Sequence, residues 1–307
     1  MGKPFDRRTF LLAAGLEFCA VIAPADSAPA ASASPTPEPP LPGKTFLPQL
    51  PSAPFPHPSR ANGHEYDGKF YSASEHYSDS TVGIYVPAKF RPSAGTDFVV
   101  HFHGWNNHVT EVFRRYELRE QLEESGRNAV LVVPQGPKDA PDSGDGKLEL
   151  DPNGFARFMS DVVRFLRDRG VTGSDGIGRI VLSSHSGGYG GLGGVLTRGG
   201  LNAHVSDVLL FDSAYGYFDA VAAWAASAAN RHLLSLFTDD TALGNTELMS
   251  LLQGKSPFQV LNAAAMTLSP LQTREATFVL TTSVAHDELL QRYHWYALFL
   301  QTTALTA

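Results

Sequence analysis

The sequence predicts an α/β protein with a mostly parallel central sheet that carries helices on both faces. Short apolar runs rich in Val, Leu, Ile and Phe recur along the chain, as in strands that are buried on both sides. Segments with helical spacing of apolar residues separate these runs, which is the order typical of parallel sheets. With 307 residues and 43% hydrophobic residues, the chain can bury one full core.

The predicted elements alternate along most of the chain. The predicted strands cover residues 81–87, 97–103, 128–134, 179–184, 206–212, 232–238 and 276–283. The predicted helices cover residues 108–125, 153–169, 188–198, 217–229, 245–253 and 287–301. A single helix fits between the strands 206–212 and 232–238, which leaves little or no room for a cap domain. Ligands of such sheets bind at the carboxyl ends of the strands.

The amino end is typical of a cleaved export signal over residues 1–30. A basic start is followed by an apolar stretch and by Ala-rich cleavage sites. Arg7 and Arg8, followed by Phe10 and Leu11, resemble the twin-arginine motif, which implies the twin-arginine export machinery as a partner. The apolar stretch is too short to span a bilayer, so we expect no stable membrane insertion. The mature protein is expected to be periplasmic or secreted.

Residues 31–60 predict a Pro-rich linker ahead of a catalytic domain over residues 61–307. Ten prolines lie between Ser34 and Pro58, which argues against a helix or an inner strand there. The alternative is an arm that packs along the domain, since this stretch also contains Phe46, Leu47, Leu50 and Phe55.

Charge and cysteine content exclude several classes of protein. The net charge is −7, and no basic stretch could follow a nucleic-acid backbone, so no nucleic-acid partner is expected. The only cysteine, Cys19, lies in the signal segment, so the mature chain has neither a thiol nucleophile nor a cysteine metal site. No cofactor is expected.

The stretch S-H-S-G-G at residues 184–188 joins a predicted strand to a predicted helix. A strand that turns at once into a helix strains its junction residue and needs small neighbours two positions away. Ser184, where glycine is usual, and Gly188 are those neighbours. Ser186 is therefore a candidate nucleophile at a helix amino end, with the amide of Gly187 as an oxyanion donor.

A second interpretation of the same stretch is a nucleotide-binding loop. Residues 188–193 read G-x-G-x-x-G, and Asp212 ends the next strand, as a dinucleotide site requires. In a dinucleotide site, however, the first glycine comes directly at the strand end. This alternative predicts an oxidoreductase with a bound cofactor.

Two further motifs favour the interpretation of Ser186 as a nucleophile. In H-F-H-G-W-N-N, Gly104 follows a strand end and permits close approach, so that the amide of Trp105 can be the second oxyanion donor. Late in the chain, His286 follows the last predicted strand and can act as the general base.

Together these motifs resemble the α/β-hydrolase fold superfamily, in which serine, acid and histidine follow in that chain order. The resemblance covers roughly residues 80 to 300. It implies Ser186 as the nucleophile, His286 as the base, and the amides of Gly187 and Trp105 as the oxyanion hole. It does not indicate one subfamily.

Two carboxylates compete for the role of the acid. The superfamily favours the loop after strand 232–238, which offers Asp239 and Asp240, and of these Asp240 has the better spacing. Asp212 ends the strand 206–212, and a strand end is a stiffer mount than a loop. The sequence leaves both open, with a slight preference for Asp212.

The remaining motifs have plainer interpretations. Trp105, Tyr189 and Tyr215 follow strand ends and are candidates for substrate binding, although they could equally cap the core. His101, His103 and His108 could suggest zinc, but they lack a matching acidic or cysteine ligand, so no metal site is expected. The acidic loop 142–151 is interpreted as a solvated turn.

The sequence therefore predicts an exported serine hydrolase that cleaves carboxylic esters through an acyl-enzyme; amides and peptides are less favoured substrates. An open cleft predicts a small-molecule or polymeric ester, such as an acylated or feruloylated polysaccharide or a cell-envelope polymer. A non-catalytic binding protein of the same fold is the other alternative.

Overall fold

The computed structural model describes residues 41–263 and 275–307, and from Pro42 onward these form one compact unit. The predictions for the export signal, and for the linker up to residue 40, fall outside the described residues. No helix in the described part of the chain is long and apolar enough to cross a membrane.

The strands, in chain order, are β1 (Lys44–Phe46), β2 (His64–Tyr66), β3 (Lys69–Tyr71), β4 (Val82–Val86), β5 (Thr96–Phe102), β6 (Ala129–Pro134), β7 (Ile177–His185), β8 (Val205–Phe211), β9 (His232–Phe237), β10 (Phe258–Asn262) and β11 (Ala276–Leu280). The helices are α1 (Ala73–His76), α2 (Val109–Tyr116), α3 (Leu118–Ser125), α4 (Gly146–Leu150), α5 (Gly154–Asp168), α6 (Tyr189–Arg198), α7 (Phe218–Ala225), α8 (Ala242–Leu252) and α9 (Trp295–Thr302).

Nine strands of the described residues form the central sheet, in the order β1-β4-β6-β5-β7-β8-β9-β11-β10. The pairs β1 with β4 and β4 with β6 are antiparallel, and all other neighbours are parallel. The predicted mostly parallel sheet is confirmed. The carboxyl ends of β5, β7, β8, β9 and β11 therefore meet at one edge of the sheet.

Helices cover both faces of this sheet, as the alternation of side chains along the strands requires. Phe102 and Leu182 belong to the same buried apolar cluster as residues of α5 and α6. On the opposite face, the rings of His101 and Phe211 contact Tyr296 of α9. The inner strands β5, β6 and β9 are thus buried along their whole length, because neither of their faces meets water.

The linker prediction is wrong for residues 42–60, which belong to the folded unit. β1 pairs with β4, and Leu50, Ala53 and Phe55 are buried. The apolar residues between the prolines dock on the domain, so the alternative of an ordered arm holds for this part. The prolines limit β1 to three residues at the sheet edge.

Other differences concern helix breaks and short strands. The helix predicted over 108–125 divides at Glu117, whose φ is 51°. The helix predicted over 287–301 begins only at Trp295, after two short 3-10 turns. The hairpin β2–β3 and the edge strand β10 were not predicted, because such short elements carry little hydrophobic periodicity.

Candidate active site

Ser186 lies at the sharp turn between β7 and α6. Its φ is 52°, a left-handed conformation that is strained for a residue with a side chain. A short 3-10 turn over Ser186–Gly188 leads directly into α6. The hydroxyl of Ser213 donates to the Ser186 carbonyl over 2.9 Å. The strained turn is thus held from the neighbouring strand end.

The loop after β5 approaches Ser186 closely at Gly104. A Cβ atom at this glycine would lie 2.7 Å from the Cβ and 3.3 Å from the Oγ of Ser186. Such distances leave no space for any side chain at position 104. The glycine therefore lets the loop backbone lie directly against the candidate nucleophile.

Two side chains fix the peptide groups on either side of Trp105. The Gly136 amide donates to Nε2 of His103 over 3.0 Å, so the ring proton is on Nδ1, which donates to the Gly104 carbonyl over 2.8 Å. Burial lowers the pKa of His103 and keeps the ring neutral. Asn107 donates from Nδ2 to the Trp105 carbonyl over 3.0 Å. The backbone that presents the Trp105 amide is thereby held rigidly.

His286 and Asp212 come together from two different strand ends. Nδ1 of His286, which follows β11, lies 2.7 Å from Oδ2 of Asp212, which directly follows β8. Asp212 is fully buried and, like Ser186, has a positive φ, here 46°. Its carboxylate also accepts from the Thr238 amide at 3.0 Å, from the Thr238 hydroxyl at 2.6 Å and from the Thr241 hydroxyl.

These donors decide the charge of Asp212. Burial by itself raises the pKa of the carboxyl, but the hydrogen bonds from His286, Thr238 and Thr241 outweigh it and lower the pKa. The buried group is therefore a carboxylate at neutral pH, directed at the ring nitrogen of His286.

Asp240 lies near the same imidazole but does not bond to it. Its Oδ2 is 3.9 Å from Nδ1 of His286, and its side chain is 60% exposed. It belongs to a 3-10 turn after β9, whereas Asp212 is mounted on the strand end itself. Of the two candidate acids, only Asp212 is within hydrogen-bond distance.

Solved structures share this architecture at low sequence identity. A mutant of the feruloyl esterase module from Clostridium thermocellum in complex with sinapinate aligns with a TM-score of 0.54 at 12% identity, over 88% of this chain and 93% of that chain. An S-formylglutathione hydrolase from Agrobacterium tumefaciens aligns with a TM-score of 0.50 at 12% identity, over 86% and 98%. This chain has the α/β-hydrolase fold. No protein-family model and no curated protein matches the sequence.

Within this α/β-hydrolase fold, the glycine run serves packing. Gly190, Gly191 and Gly193 lie inside α6. A Cβ at Gly190 would lie 1.9 Å from the Ser143 carbonyl oxygen, and one at Gly191 would lie 1.9 Å from Oδ2 of Asp145. The G-x-G-x-x-G stretch is thus a helix pressed against residues 143–149, whereas a nucleotide-binding loop needs exposed amides. The structure gives no support to the dinucleotide interpretation.

The stretch at residues 142–151 is also not the solvated turn predicted, because α4 covers Gly146–Leu150. Asp142 is buried and accepts two hydrogen bonds from the Arg60 guanidinium, at 2.6 and 2.9 Å. Asp145 is buried beside Glu149, and desolvation and this neighbouring acid raise the pKa of Asp145 well above its usual value. One acidic residue of this stretch thus pairs with Arg60, and burial raises the pKa of another.

His185, the residue before Ser186, packs against His286 and bonds to its backbone. Its ring lies 4.8 Å from that of His286, centroid to centroid, and its Nε2 lies 3.0 Å from the His286 carbonyl oxygen. Burial, aided by nearby His286, lowers the pKa of His185 to about 4. The neutral ring can therefore donate from Nε2 and hold the backbone of His286.

The candidate substrate-binding aromatics lie near the turn at Ser186. A Cβ at Gly187 would lie 2.3 Å from Cδ1 of Trp105, whose indole N–H donates to Ser143 over 2.7 Å. The rings of Tyr189 and Tyr215 lie 6.0 Å apart. None of these three side chains is fully buried.

The potential metal ligands divide into separate groups. His101 bonds to Ser183, His103 bonds to the Gly104 carbonyl, and His108 bonds to Asp139 over 2.8 Å. The three histidines therefore do not form the zinc cluster considered above. Among the described residues, one group of acidic and histidine side chains has ligand atoms within 4.8 Å of one another: Asp212, Asp240 and His286. The donors already bound to Asp212 account for its position without an ion.

Sequence reasoning missed several residues that support this arrangement. These are Ser213, Thr238, Thr241, Asn107 and Tyr66. The first four are ordinary polar residues, and the partners of Ser213, Thr238 and Thr241 lie 26 to 29 residues away in the chain. Tyr66 carries a signal, because Asp67 and Gly68 after it form the residue pair typical of a two-residue hairpin.

Proposed function

We propose that this chain is a serine hydrolase of carboxylic esters, with Ser186 as the nucleophile, His286 as the base and Asp212 as the acid. The observation that carries the proposal is the strained φ of 52° at Ser186. Ser186 lies at the edge of the sheet where the carboxyl ends of the strands meet, and the His286–Asp212 pair lies at the same edge. Strain of this kind is retained where the surrounding structure holds a residue for function.

In the proposed reaction, Nε2 of His286 takes the hydroxyl proton as Oγ of Ser186 attacks the ester carbonyl. The amides of Gly187 and Trp105 donate to the oxyanion that develops on the carbonyl oxygen. When the tetrahedral intermediate collapses, His286 gives the proton to the departing alcohol oxygen and the acyl group remains on Ser186. Water, activated by the same histidine, then releases the acid.

Asp212 has the properties that its proposed role requires. Its ionised carboxylate accepts a hydrogen bond from the Nδ1–H of His286, which leaves Nε2 unprotonated and able to take the proton of Ser186. It also stabilises the imidazolium that forms during the reaction. The hydroxyls of Thr238 and Thr241 keep it in this orientation.

A bulky or polymeric ester is the proposed substrate. Between β8 and β9 the chain forms only the helix α7, so no cap domain is inserted at that point. An open cleft admits a substrate that extends beyond the reacting group. Turnover of an acylated polysaccharide and of short soluble esters should be compared; much faster turnover of the short esters would contradict this part.

Export through the twin-arginine machinery, to the periplasm or the outside, is proposed on the sequence of residues 1–30. Separation of cell fractions and amino-terminal sequencing of the mature protein test it. Changing Arg7 and Arg8 to Lys should retain the precursor in the cytoplasm.

The nucleophile is tested by intact-protein mass spectrometry after treatment with a fluorophosphonate. We expect a single adduct in the wild type and none in Ser186→Ala, together with loss of ester hydrolysis. A folded wild-type protein that forms no adduct would contradict the proposal and favour a non-catalytic binding protein.

A further inference from the structure

The hairpin β2–β3 forms a second, two-stranded sheet beside the candidate active site. Its two-residue turn is formed by Asp67 and Gly68, with φ values of 51° and 74°, as tight hairpins require. Tyr71 anchors it to the domain in a small buried cluster with Phe55, Tyr77 and Ala140. The hairpin therefore has a defined position.

The two faces of this hairpin differ. Tyr66 pairs with Lys69, and His64 pairs with the buried Tyr71, so Tyr66 is on the face that packs on the domain. Phe70 is on the other face and is 62% exposed. Although it is on the packed face, Tyr66 itself remains 37% exposed.

Tyr66 extends from the hairpin to Trp105. The centroids of the two rings are 5.1 Å apart and their planes meet at 71°. Trp105 is itself held by its bond to Ser143 and lies against Gly187, the residue after the candidate nucleophile. Two partly exposed rings thus form a corner beside Ser186.

We propose that this corner is a binding subsite for a flat aromatic ring in the acyl group of the ester. Aromatic rings pack either offset and parallel or edge to face, with centroids 4.5 to 7 Å apart in general. Two rigid rings at a steep angle offer a third ring one contact of each kind. A saturated ring has no π-face and gains only from burial. The subsite rests on the proposed function, because it assigns the acyl side of that reaction.

Two methyl esters that differ only in ring character test the subsite. Methyl 3-phenylpropanoate and methyl 3-cyclohexylpropanoate have the same leaving group, chain length and ring size. We expect wild-type kcat/KM to be higher for the phenyl ester, and Tyr66→Leu to lower this phenyl-to-cyclohexyl ratio about 3- to 10-fold.

Phe70→Leu provides the matched control, since it removes an exposed ring from the opposite face of the same hairpin. It should leave both rates within about twofold of wild type, as is usual for surface substitutions. Thermal melting of both variants checks that the hairpin is still folded. An equal fall of both rates in Tyr66→Leu, or an equal effect of Phe70→Leu, would overturn the subsite.

Direct binding separates this proposal from the reaction itself. The affinities of 3-phenylpropanoate and 3-cyclohexylpropanoate are measured by calorimetry on wild type and Tyr66→Leu. The phenyl compound should bind more tightly to wild type, and Tyr66→Leu should lower the phenyl-to-cyclohexyl ratio of affinities by the same factor as the ratio of rates. If fluorophosphonate labels Ser186 but neither ratio depends on Tyr66, the subsite fails and the hydrolase stands. If no label forms but the binding ratio depends on Tyr66, the hydrolase fails and the aromatic subsite stands.

Discussion

Replacing Asp212 with Asn is expected to lower kcat about 10⁴-fold, or about 5 kcal/mol of transition-state stabilisation. The acceptor that lies 2.7 Å from Nδ1 of His286 becomes an amide nitrogen that donates. Because Asn also keeps an oxygen for the Thr238 amide, its NH₂ group is directed at His286. The imidazole proton then moves to Nε2, which can no longer accept a proton from Ser186.

The same substitution at Asp240 should have a small effect. Its carboxylate lies 3.9 Å from Nδ1 of His286 and is 60% exposed, so water screens its charge. Two charges at this distance interact by about 1 kcal/mol in a medium close to bulk water, which corresponds to about fivefold in rate. The two variants are thus expected to differ by roughly three orders of magnitude.

The assay is kcat for hydrolysis of a soluble ester at pH 8, with the rate of fluorophosphonate labelling as a second measure of the activity of Ser186. Thermal melting checks that each variant is folded. A larger loss in Asp240→Asn than in Asp212→Asn would refute the assignment and make the exposed carboxylate the acid. Equal losses would show that the two carboxylates act together.

Three further predictions concern packing, charge and the loop that bears the proposed oxyanion donor. Gly190→Ala should destabilise the protein by about 1–3 kcal/mol in chemical denaturation, because its methyl group meets the Ser143 carbonyl, whereas Gly173→Ala, with nothing within 4 Å, should change stability by less than about 0.5 kcal/mol. Folding raises the pKa of the buried Asp145 carboxyl, so the protonated group supports stability below about pH 4 and this support is lost as the group ionises at higher pH. Asp145→Asn should therefore raise Tm at pH 8. A similar gain at pH 3.5 would contradict this. His103→Phe removes the imidazole hydrogen bonds that hold the loop and should lower kcat about 10- to 100-fold with little change in KM, a split that a general loss of folding would not produce.

The order of strands and helices was predictable from the sequence because it depends on local hydrophobic periodicity. Apart from α4, which was predicted as a turn, the strands and helices from residue 81 to residue 253 lie close to their predicted positions. The errors occur where local signals are weak. β1 lies among prolines, and its pairing with β4 depends on a strand about 40 residues away.

Some residues of the candidate site could likewise be identified from local sequence, and others could not. Ser186 was identified by a local pattern, because a small residue on each side of a strand-to-helix junction is visible in a few letters. The choice between Asp212 and Asp240 was not local. It depends on burial and on the hydroxyls of Thr238 and Thr241, which lie at the next strand end.

The glycine run shows how one pattern supports two interpretations. The letters from Gly188 to Gly193 satisfy a nucleotide fingerprint, yet these glycines contact backbone and side chains of Phe102, Ser143 and Asp145. No local pattern could reveal these partners, which lie more than 40 residues before them in the chain.

The sequence by itself determined the fold class, the strained serine and the histidine after the last strand, since each is encoded by neighbouring residues. The tertiary structure decided which carboxylate bonds to that histidine, why α6 needs its glycines, and that Tyr66 reaches Trp105. Each of these depends on the distance between residues far apart in the chain, and parallel strands set such distances only when the sheet is assembled.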